Sequence, residues 1–428
     1  MERSLIGISQ KSNLLVQRTD KWTFSSTKLP TPVSALLHAA TMVTAGVYLL
    51  IRLSPIFSLV PSILTLISLI GAFTAFFAAS SGLVQNDVKR VIAYSTSSQL
   101  GYMVLACGLL NFDLSFFHLI NHAFFKALLF LCSGVIIHTF YNQQDIRYMG
   151  GFLPFLPFVY SVFLIGSLSL AGFPFLTGFY SKDLILEFAF SSFTLSSYFV
   201  FWLALLTVSL TSFYSFRLLY FLFYHKPFSL NFTYYSNLHG SNFYALLPLG
   251  LLALFALFFG FLFKDLFVGL GSSFLSFQKL DIDSELLPLH FKLLPLFFSF
   301  GGFILSYFIY LYFFPFKPLF SIYSFFAYKW YFDIIYNRLA YQVLIFSYII
   351  PLKTFDRGLL EWMGSRGIGN KLSENGKLWE KFNTGDIYNY TFLFFISVIT
   401  IIIGYNLEIT HQIGTLFFFF FLGFFFFK

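Results

Sequence analysis

Three ionisable side chains follow one another at four-residue intervals inside an apolar stretch of the chain: His118, His122 and Lys126. Residues four positions apart share one face of an α-helix, so the three would form a single basic stripe. A charged lysine near the centre of a hydrocarbon layer costs at least ~2.5 kcal/mol. Such groups, held in phase in an apolar helix, are typical of proteins that move protons or ions, because neighbouring sites can exchange a proton.

A second basic group, Lys182 with its neighbour Asp183, follows a helix-breaking sequence. Gly172-Phe173-Pro174 and then Gly178 interrupt an apolar run, which predicts a broken membrane helix instead of two ordinary spans. Transporters place charged groups near such breaks. The competing interpretation is an ion pair in an ordinary loop.

Two more candidates have weaker patterns. His38 shares helical spacing with hydroxyl side chains, although a core histidine bonded to a carbonyl would look the same. Lys89 precedes the hydroxyl-rich stretch 94–99, which holds either interior water or packing contacts between helices. Arg217, inside the apolar run 197–224, is expected to extend toward the interface or pair with a carboxylate.

The composition indicates a polytopic membrane protein. Of 428 residues, 58% are hydrophobic and 10% are charged, whereas a soluble domain has roughly 25% charged residues. The net charge of +8 comes without a lysine- or arginine-rich block, so we attribute it to basic loops beside a bilayer and expect no nucleic acid. Two cysteines exclude a disulfide framework, and we find no metal, phosphate-loop or dinucleotide motif.

The elements that position these groups are apolar helices of about 20 residues. The predicted spans are 33–52, 56–80, 91–110, 115–138, 154–174, 176–194, 197–224, 243–265, 289–314 and 388–405. The last apolar stretch, 412–427, is either a further span or an interfacial segment.

The region 318–387 is too charged for a span and is interrupted by Pro351 and several glycines. Its pattern suits an amphipathic helix on the membrane surface followed by a loop. An ordinary loop with short helices is the alternative.

Two functional classes follow from this chemistry. The first is a proton or ion translocator. The second is a haem-bearing electron-transfer protein, since histidines within membranes also bind haem. The ligands of one haem normally face each other across a bundle, whereas His118 and His122 lie on one face of one helix, so the second class fits poorly.

Several motifs, in order along the chain, resemble subunit 5 of NADH dehydrogenase (respiratory complex I), one of the antiporter-like membrane-arm subunits. The resemblance covers about residues 22–405, and its motifs lie at 30–48, 86–96, 118–131, 144–147, 149–151, 172–174, 178–183, 213–217 and 330–336.

The resemblance implies an all-α antiporter-like helix bundle with a broken transmembrane helix and a long lateral amphipathic helix. It divides the chain into a polar N-terminal segment, a core half containing the second half-channel, peripheral helices, a lateral helix with its loop, and a C-terminal anchor with a phenylalanine-rich tail. The expected bounds are 1–30, 31–225, 226–317, 318–387 and 388–428.

The implied function is proton translocation within NADH:ubiquinone oxidoreductase of the mitochondrial inner membrane, by an organelle-encoded subunit. NADH, FMN, iron–sulfur clusters and ubiquinone would bind other subunits, with no cofactor in this chain. Partners would be other membrane-arm subunits and lipids. A multi-subunit sodium/proton antiporter uses the same fold and is the alternative, and a fragment that only scaffolds the arm is a third interpretation.

The family motifs also imply roles for individual residues. Lys126 matches the central relay lysine, with His118 and His122 beside it. Lys182 matches the charged residue on the broken helix of the second half-channel, with Asp183 next to it. His38 matches a histidine beside the connection between half-channels, and Lys89 matches a lysine at the start of its helix.

The chain departs from the family at its beginning, where several spans precede the first shared motif in family members. We expect a split protein whose N-terminal half is a separate polypeptide, with a truncated sequence as the alternative. Lys11 lies in a segment that weakly resembles a family motif. Its surroundings are too polar for a span, and we assign it no role.

Overall fold

The computed structural model describes residues 31–36, 41–140, 143–225, 243–269, 287–312, 320–380 and 385–408. Within these ranges the chain is helical, and the only strand-like pairing is an isolated antiparallel bridge between Asp87 and Asp145. The chain divides into two compact units, Met1–Tyr331 and Phe332–Lys428.

The described part of the first unit contains a bundle of apolar helices. Its longer helices are α1 (Met42–Arg52), α2 (Pro61–Gly82), α3 (Val88–Gly108), α4 (Phe112–Thr139), α5 (Pro157–Ala171), α6 (Leu184–Ser191), α7 (Leu195–Leu219), α8 (Phe243–Val268) and α9 (Leu294–Tyr312). Short helical segments lie at Thr31–Ser34, Ser54–Phe57, Ile146–Tyr148, Leu289–Lys292, Phe320–Ala327 and Lys329–Tyr331.

Five helical segments of the described residues are long and apolar enough to cross a membrane: α2, α4, α8, and the extended segments Leu195–Tyr224 and Leu289–Tyr310. α1 and α5 are apolar but shorter. These helices confirm the predicted all-α membrane fold. The predicted polar segment 1–30 and the apolar stretch 412–427 lie outside the described residues.

α4 is the central helix of the bundle and contacts α3, α5 and α8. It is apolar around most of its circumference, as expected of a helix surrounded by other helices. At the start of α4, the Asn111 side chain accepts a hydrogen bond from the backbone N–H of Leu114, and the basic residues of the helix are buried. The polar stripe of α4 is therefore enclosed by protein.

Small residues bring α2 and α3 into close contact. A Cβ atom built on Gly71 would lie 2.5 Å from the backbone nitrogen of Leu105, and one on Gly101 would lie 2.7 Å from the backbone nitrogen of Ala75. Membrane helices approach this closely where side chains are small. The contact fixes the polar face of α3 relative to the rest of the bundle.

The predicted broken helix is confirmed. α5 ends at Ala171, and Gly172 follows with φ of 85°, a left-handed conformation that glycine adopts without strain. Helix resumes at Thr177 and passes through the π-helical turn Phe179–Asp183 into α6. Thr177 anchors the restart, because its Oγ1 donates to the carbonyl of Ala256 on α8 at 3.0 Å.

Arg217 makes contacts that differ from the expected ones. Its Nη1 donates to the carbonyls of Leu83 and Gln85 at 2.5 and 2.7 Å, and its Nη2 donates to Asn86 Oδ1 at 3.1 Å. These oxygen acceptors take the place of the carboxylate that was one of the two expected partners, and the interfacial position stays a prediction. Carbonyls at and just after the end of a helix lack N–H donors from the helix itself. The Arg217 guanidinium, on α7, supplies such donors where α2 ends.

Replacing Arg217 with methionine should destabilise the bundle by about 2 kcal/mol, because buried carbonyls at the end of α2 lose a charged donor. We expect a lower melting temperature of the purified protein. Thermal unfolding measures this, with Arg366→Met on the exposed surface as the control. An unchanged melting temperature for Arg217→Met would show that the carbonyls find other donors.

The second unit is dominated by a long helical segment. It comprises α10 (Phe332–Ser347), a π-helical stretch Tyr348–Leu360 that contains Pro351, and a short turn Glu361–Met363. Gly364 then bends the chain with ψ of −175°, before α11 (Ser365–Glu380) and α12 (Ile387–Glu408). The sequence predicts at least one interruption here, from Pro351 and the glycines. The chain stays helical through Pro351, and the interruption lies at Gly364. The lateral placement of this helix along a membrane stays a prediction.

Candidate proton-transfer site

The basic stripe of α4 faces the interior of the bundle. His118, His122 and Lys126 each have no solvent-exposed surface. The spacing that predicts a shared face is therefore realised, and the face points at other helices. Three basic groups in one apolar interior need polar partners, since an isolated buried charge is strongly unfavourable.

Lys126 contacts the hydroxyl-rich segment of α3. Its Nζ donates a hydrogen bond to Ser95 Oγ at 2.5 Å, and Ser95 Oγ donates to the carbonyl of Ile92 at 2.9 Å. The hydroxyl of Tyr214, on α7, interacts with the side chain of Ser95 and lies 3.4 Å from Ser98 Oγ. The stretch 94–99 thus supplies the partner of the central lysine.

His118 connects three elements. Its Nδ1 lies 2.8 Å from Ser181 Oγ, in the π-helical turn of the broken helix, and its Nε2 lies 3.1 Å from Gln99 Oε1 on α3. A neutral imidazole donates from one nitrogen and accepts at the other, so this arrangement suits passage of a proton through the ring.

His122 lies between His118 and the aromatic ring of Phe125. The two histidine rings have their centroids 6.4 Å apart, and the Phe125 ring meets His122 edge-on at 5.4 Å. Neither ring nitrogen of His122 has a hydrogen-bond partner among the described residues. Gln99 Nε2, Asn121 Oδ1 and Asp183 Oδ2 are likewise buried without one. Buried polar atoms of this kind are normally paired with ordered water.

Lys182 reaches back across the break in the helix. Its Nζ donates to Thr211 Oγ1 on α7 at 3.1 Å and to the carbonyl of Leu170, in the last turn of α5, at 3.5 Å. The carboxyl end of a helix carries partial negative charge, so the break gives the amine a favourable site. Lys182 is 1% exposed and lies in a π-helical turn, so the pair is not part of an ordinary loop.

Asp183 follows Lys182 in the same π-helical turn. Its side chain is buried, and its Oδ1 would be 3.4 Å from a Cβ atom built on Gly172. The glycine therefore leaves room for the carboxylate beside the chain reversal. The two neighbours, Lys182 and Asp183, place a base and an acid at one interruption of the helix.

The remaining predicted residues are less closely connected. Lys89 is buried as the second residue of α3, six positions or ~9 Å of helix before Ser95, and it is not among the hydrogen-bond partners of Lys126 or His118. His38 and Lys11 lie outside the described residues.

Several polar residues at the site were not singled out from the sequence. Gln99 and Ser181 hold His118, and Thr211 holds Lys182. A lone threonine in an apolar helix usually hydrogen-bonds to the backbone of its own helix, so the sequence does not indicate that Thr211 contacts a lysine. Gln99 and Ser181 lay in motifs that were recognised, but their pairing spans distant parts of the chain.

The chain matches two family models that together cover most of its length. The model of NADH:quinone oxidoreductase/Mrp antiporter transmembrane domains matches residues 5–211, and the model of the NADH dehydrogenase subunit 5 C-terminus matches residues 214–405. The chain belongs to the NADH dehydrogenase subunit 5 family. This confirms the family resemblance of the sequence motifs.

Curated members of this family are similar over most of the chain. NADH-ubiquinone oxidoreductase chain 5 of Phytophthora infestans is 50% identical over 395 residues, which is 88% of this chain and 59% of that protein. The same-named protein of Chondrus crispus is 45% identical over 442 residues, 97% of this chain and 66% of that protein. The chain thus spans about three fifths of the length of such relatives.

A solved structure shows the same fold. The Mrp complex from Dietzia sp. DQ12-45-1b contains a chain with a TM-score of 0.53 and 21% sequence identity, covering 89% of this chain and 37% of that one. At this identity the similarity concerns the helix bundle alone.

Proposed function

We propose that this chain is a proton-translocating membrane-arm subunit of NADH:ubiquinone oxidoreductase, located in the mitochondrial inner membrane. The observation that supports it most directly is the buried set of protonatable groups, in which Lys126, His118 and Lys182 each have polar partners on neighbouring helices. Membership of the subunit 5 family supplies the host complex.

The proposed route runs along α4 and then into the broken helix. A proton leaves the Lys126 amine, crosses His122 and His118 with the help of water, and reaches Lys182 by way of Ser181, which neighbours it in the chain. Asp183 accepts it from there toward one side of the membrane. Electrostatic repulsion among the basic groups would drive transfer, because proton occupancy at one site disfavours occupancy at the next.

In this proposal the chain performs no redox chemistry of its own. NADH, FMN, iron–sulfur clusters and ubiquinone belong to other subunits, and the partners are other membrane-arm subunits and lipids. A separate chain that supplies the remaining length of the relatives stays a prediction. Native electrophoresis of detergent-solubilised membranes, followed by identification of co-migrating polypeptides, tests the host complex and that partner together.

Replacing His118 with glutamine tests the route. Glutamine still hydrogen-bonds to Ser181 and Gln99 but does not titrate, so we expect assembly to be retained and protons pumped per electron to fall. A loss of ~100-fold through this site is the scale of a missing proton-transfer group. The measurement is pumping by the complex in sealed vesicles. His290→Gln, at an exposed part of the chain, is the control, and normal pumping by His118→Gln would contradict the route.

A sodium/proton antiporter subunit is a second candidate, favoured by the shared fold with the Mrp complex. The two functions predict different host assemblies. Co-migration with NADH dehydrogenase activity supports the first, whereas sodium-dependent proton exchange without that activity supports the second.

A further inference from the structure

A buried tyrosine lies directly against the amine of the broken helix. Tyr102, on α3, is completely buried, and the centroid of its ring is 5.4 Å from Lys182 Nζ. An ammonium within about 6 Å of an aromatic centroid is attracted to the ring face, and the attraction is strongest where water is excluded. Lys182 is itself 1% exposed, so the contact is of the desolvated kind.

The ring is held in place by its hydroxyl. Tyr102 donates a hydrogen bond to the carbonyl of Ala204 on α7 at 2.9 Å and forms a short one with Thr207. Thr211 lies one helical turn beyond Thr207 on the same face of α7 and accepts a hydrogen bond from Lys182 at 3.1 Å. One face of α7 therefore fixes both the ring and the hydroxyl that contact the amine.

We propose that Tyr102 is a positioning residue for Lys182. The face of the tyrosine ring stabilises the protonated amine beside the break in the helix. This rests on the proposed function of Lys182 in proton transfer. The titratable groups around this amine are His118 on α4, Asp183 and Glu187 on its own element, and Tyr214 of α7 next to Tyr102. Like the Leu170 carbonyl and the Thr211 hydroxyl, the ring favours the charged amine without taking its proton.

The pH dependence of pumping distinguishes this role from simple packing. Tyr102→Leu removes the ring, whereas Tyr102→Phe keeps the ring and loses only the hydroxyl. On the alkaline side of the pH profile, protons pumped per electron decline as the amine loses its proton. In Tyr102→Leu this decline should occur about one pH unit lower, which is the scale of a desolvated cation–π contact. Tyr102→Phe should keep the profile in place with a modest loss of rate.

Two more variants complete the experiment. Phe163→Leu deletes an equally buried ring on α5 that packs against Phe223, and it should leave the pH profile unchanged. Tyr102→Met replaces the leucine variant if that one does not assemble, because methionine adapts its shape to the space available. A profile that stays in place in both ring deletions, or that shifts as far in Tyr102→Phe, would overturn the proposal.

Lys182→Ala separates this proposal from the one it rests on. Impaired pumping in Lys182→Ala together with an unshifted profile in the ring deletions would refute the role of Tyr102 alone. Normal pumping in Lys182→Ala would refute the role of Lys182 in the route, and that of Tyr102 with it.

Discussion

Lys126→Ala should assemble normally and lose coupled proton transfer through this chain. Among the described residues its amine hydrogen-bonds to one side chain, Ser95, so its removal breaks one polar contact and interrupts the proposed route at its centre. Loss of a positioned proton-transfer group typically costs 10²–10⁴-fold in the step it serves, and we expect an effect of about 100-fold or more here. Proton pumping per electron in vesicles containing the complex is the measurement.

Two companion variants sharpen this experiment. Lys126→Arg keeps the positive charge but does not release a proton near neutral pH, so it should fail as well. Lys371→Ala, on the exposed surface of the second unit, changes a lysine outside the route and should pump normally. Full pumping by Lys126→Ala, or rescue by arginine, would show that Lys126 serves packing or charge balance instead of transfer.

Gly101→Leu should prevent stable assembly. A Cβ atom at this position would already lie 2.7 Å from the Ala75 backbone nitrogen and 2.8 Å from its Cβ, and the additional carbons of leucine would force α2 and α3 apart. Overpacking of this kind costs about 3 kcal/mol or more. The displacement would also separate Ser95 from Lys126 and Gln99 from His118, so any assembled complex should pump poorly.

The bundle offers a matched control for that substitution. Among the described residues outside its own helix, none places an atom within 4 Å of a Cβ built on Gly46, on α1. Gly46→Leu should therefore assemble fully, since leucine also favours helix over glycine. The amount of assembled complex on native gels and its melting temperature are the two readouts. Equal assembly of the Gly46 and Gly101 variants would mean that α2 and α3 tolerate a wider separation.

Local patterns predicted the elements that carry the site. The four-residue spacing of His118, His122 and Lys126 identified the stripe, because helical periodicity is encoded in adjacent turns. The break after Gly172 was evident from glycine and proline, which act on the backbone within a few residues. In the second unit, Pro351 and Gly364 marked a π-helical stretch and a bend for the same reason.

The partners of the site depended on the crossing of distant helices. Ser95 and Gln99 were seen as a hydroxyl-rich stretch, but its meeting with α4 depends on the close contact through Gly71 and Gly101. The partners of Arg217 were not predicted because the carbonyls that it binds lie more than 130 positions earlier in the chain. Sequence periodicity describes which face a residue occupies, whereas the helix opposite that face is set by tertiary packing.

The hydroxyl of Ser95 donates its hydrogen to the Ile92 carbonyl, so its oxygen acts as the acceptor in the hydrogen bond with Lys126. An amine has N–H donors both with and without its extra proton, so the same bond holds in the loaded and the unloaded state. The lysine need not swing between two positions to discharge. Its carrier cycle would then proceed with a nearly stationary nitrogen, leaving rearrangement to the groups that take the proton away.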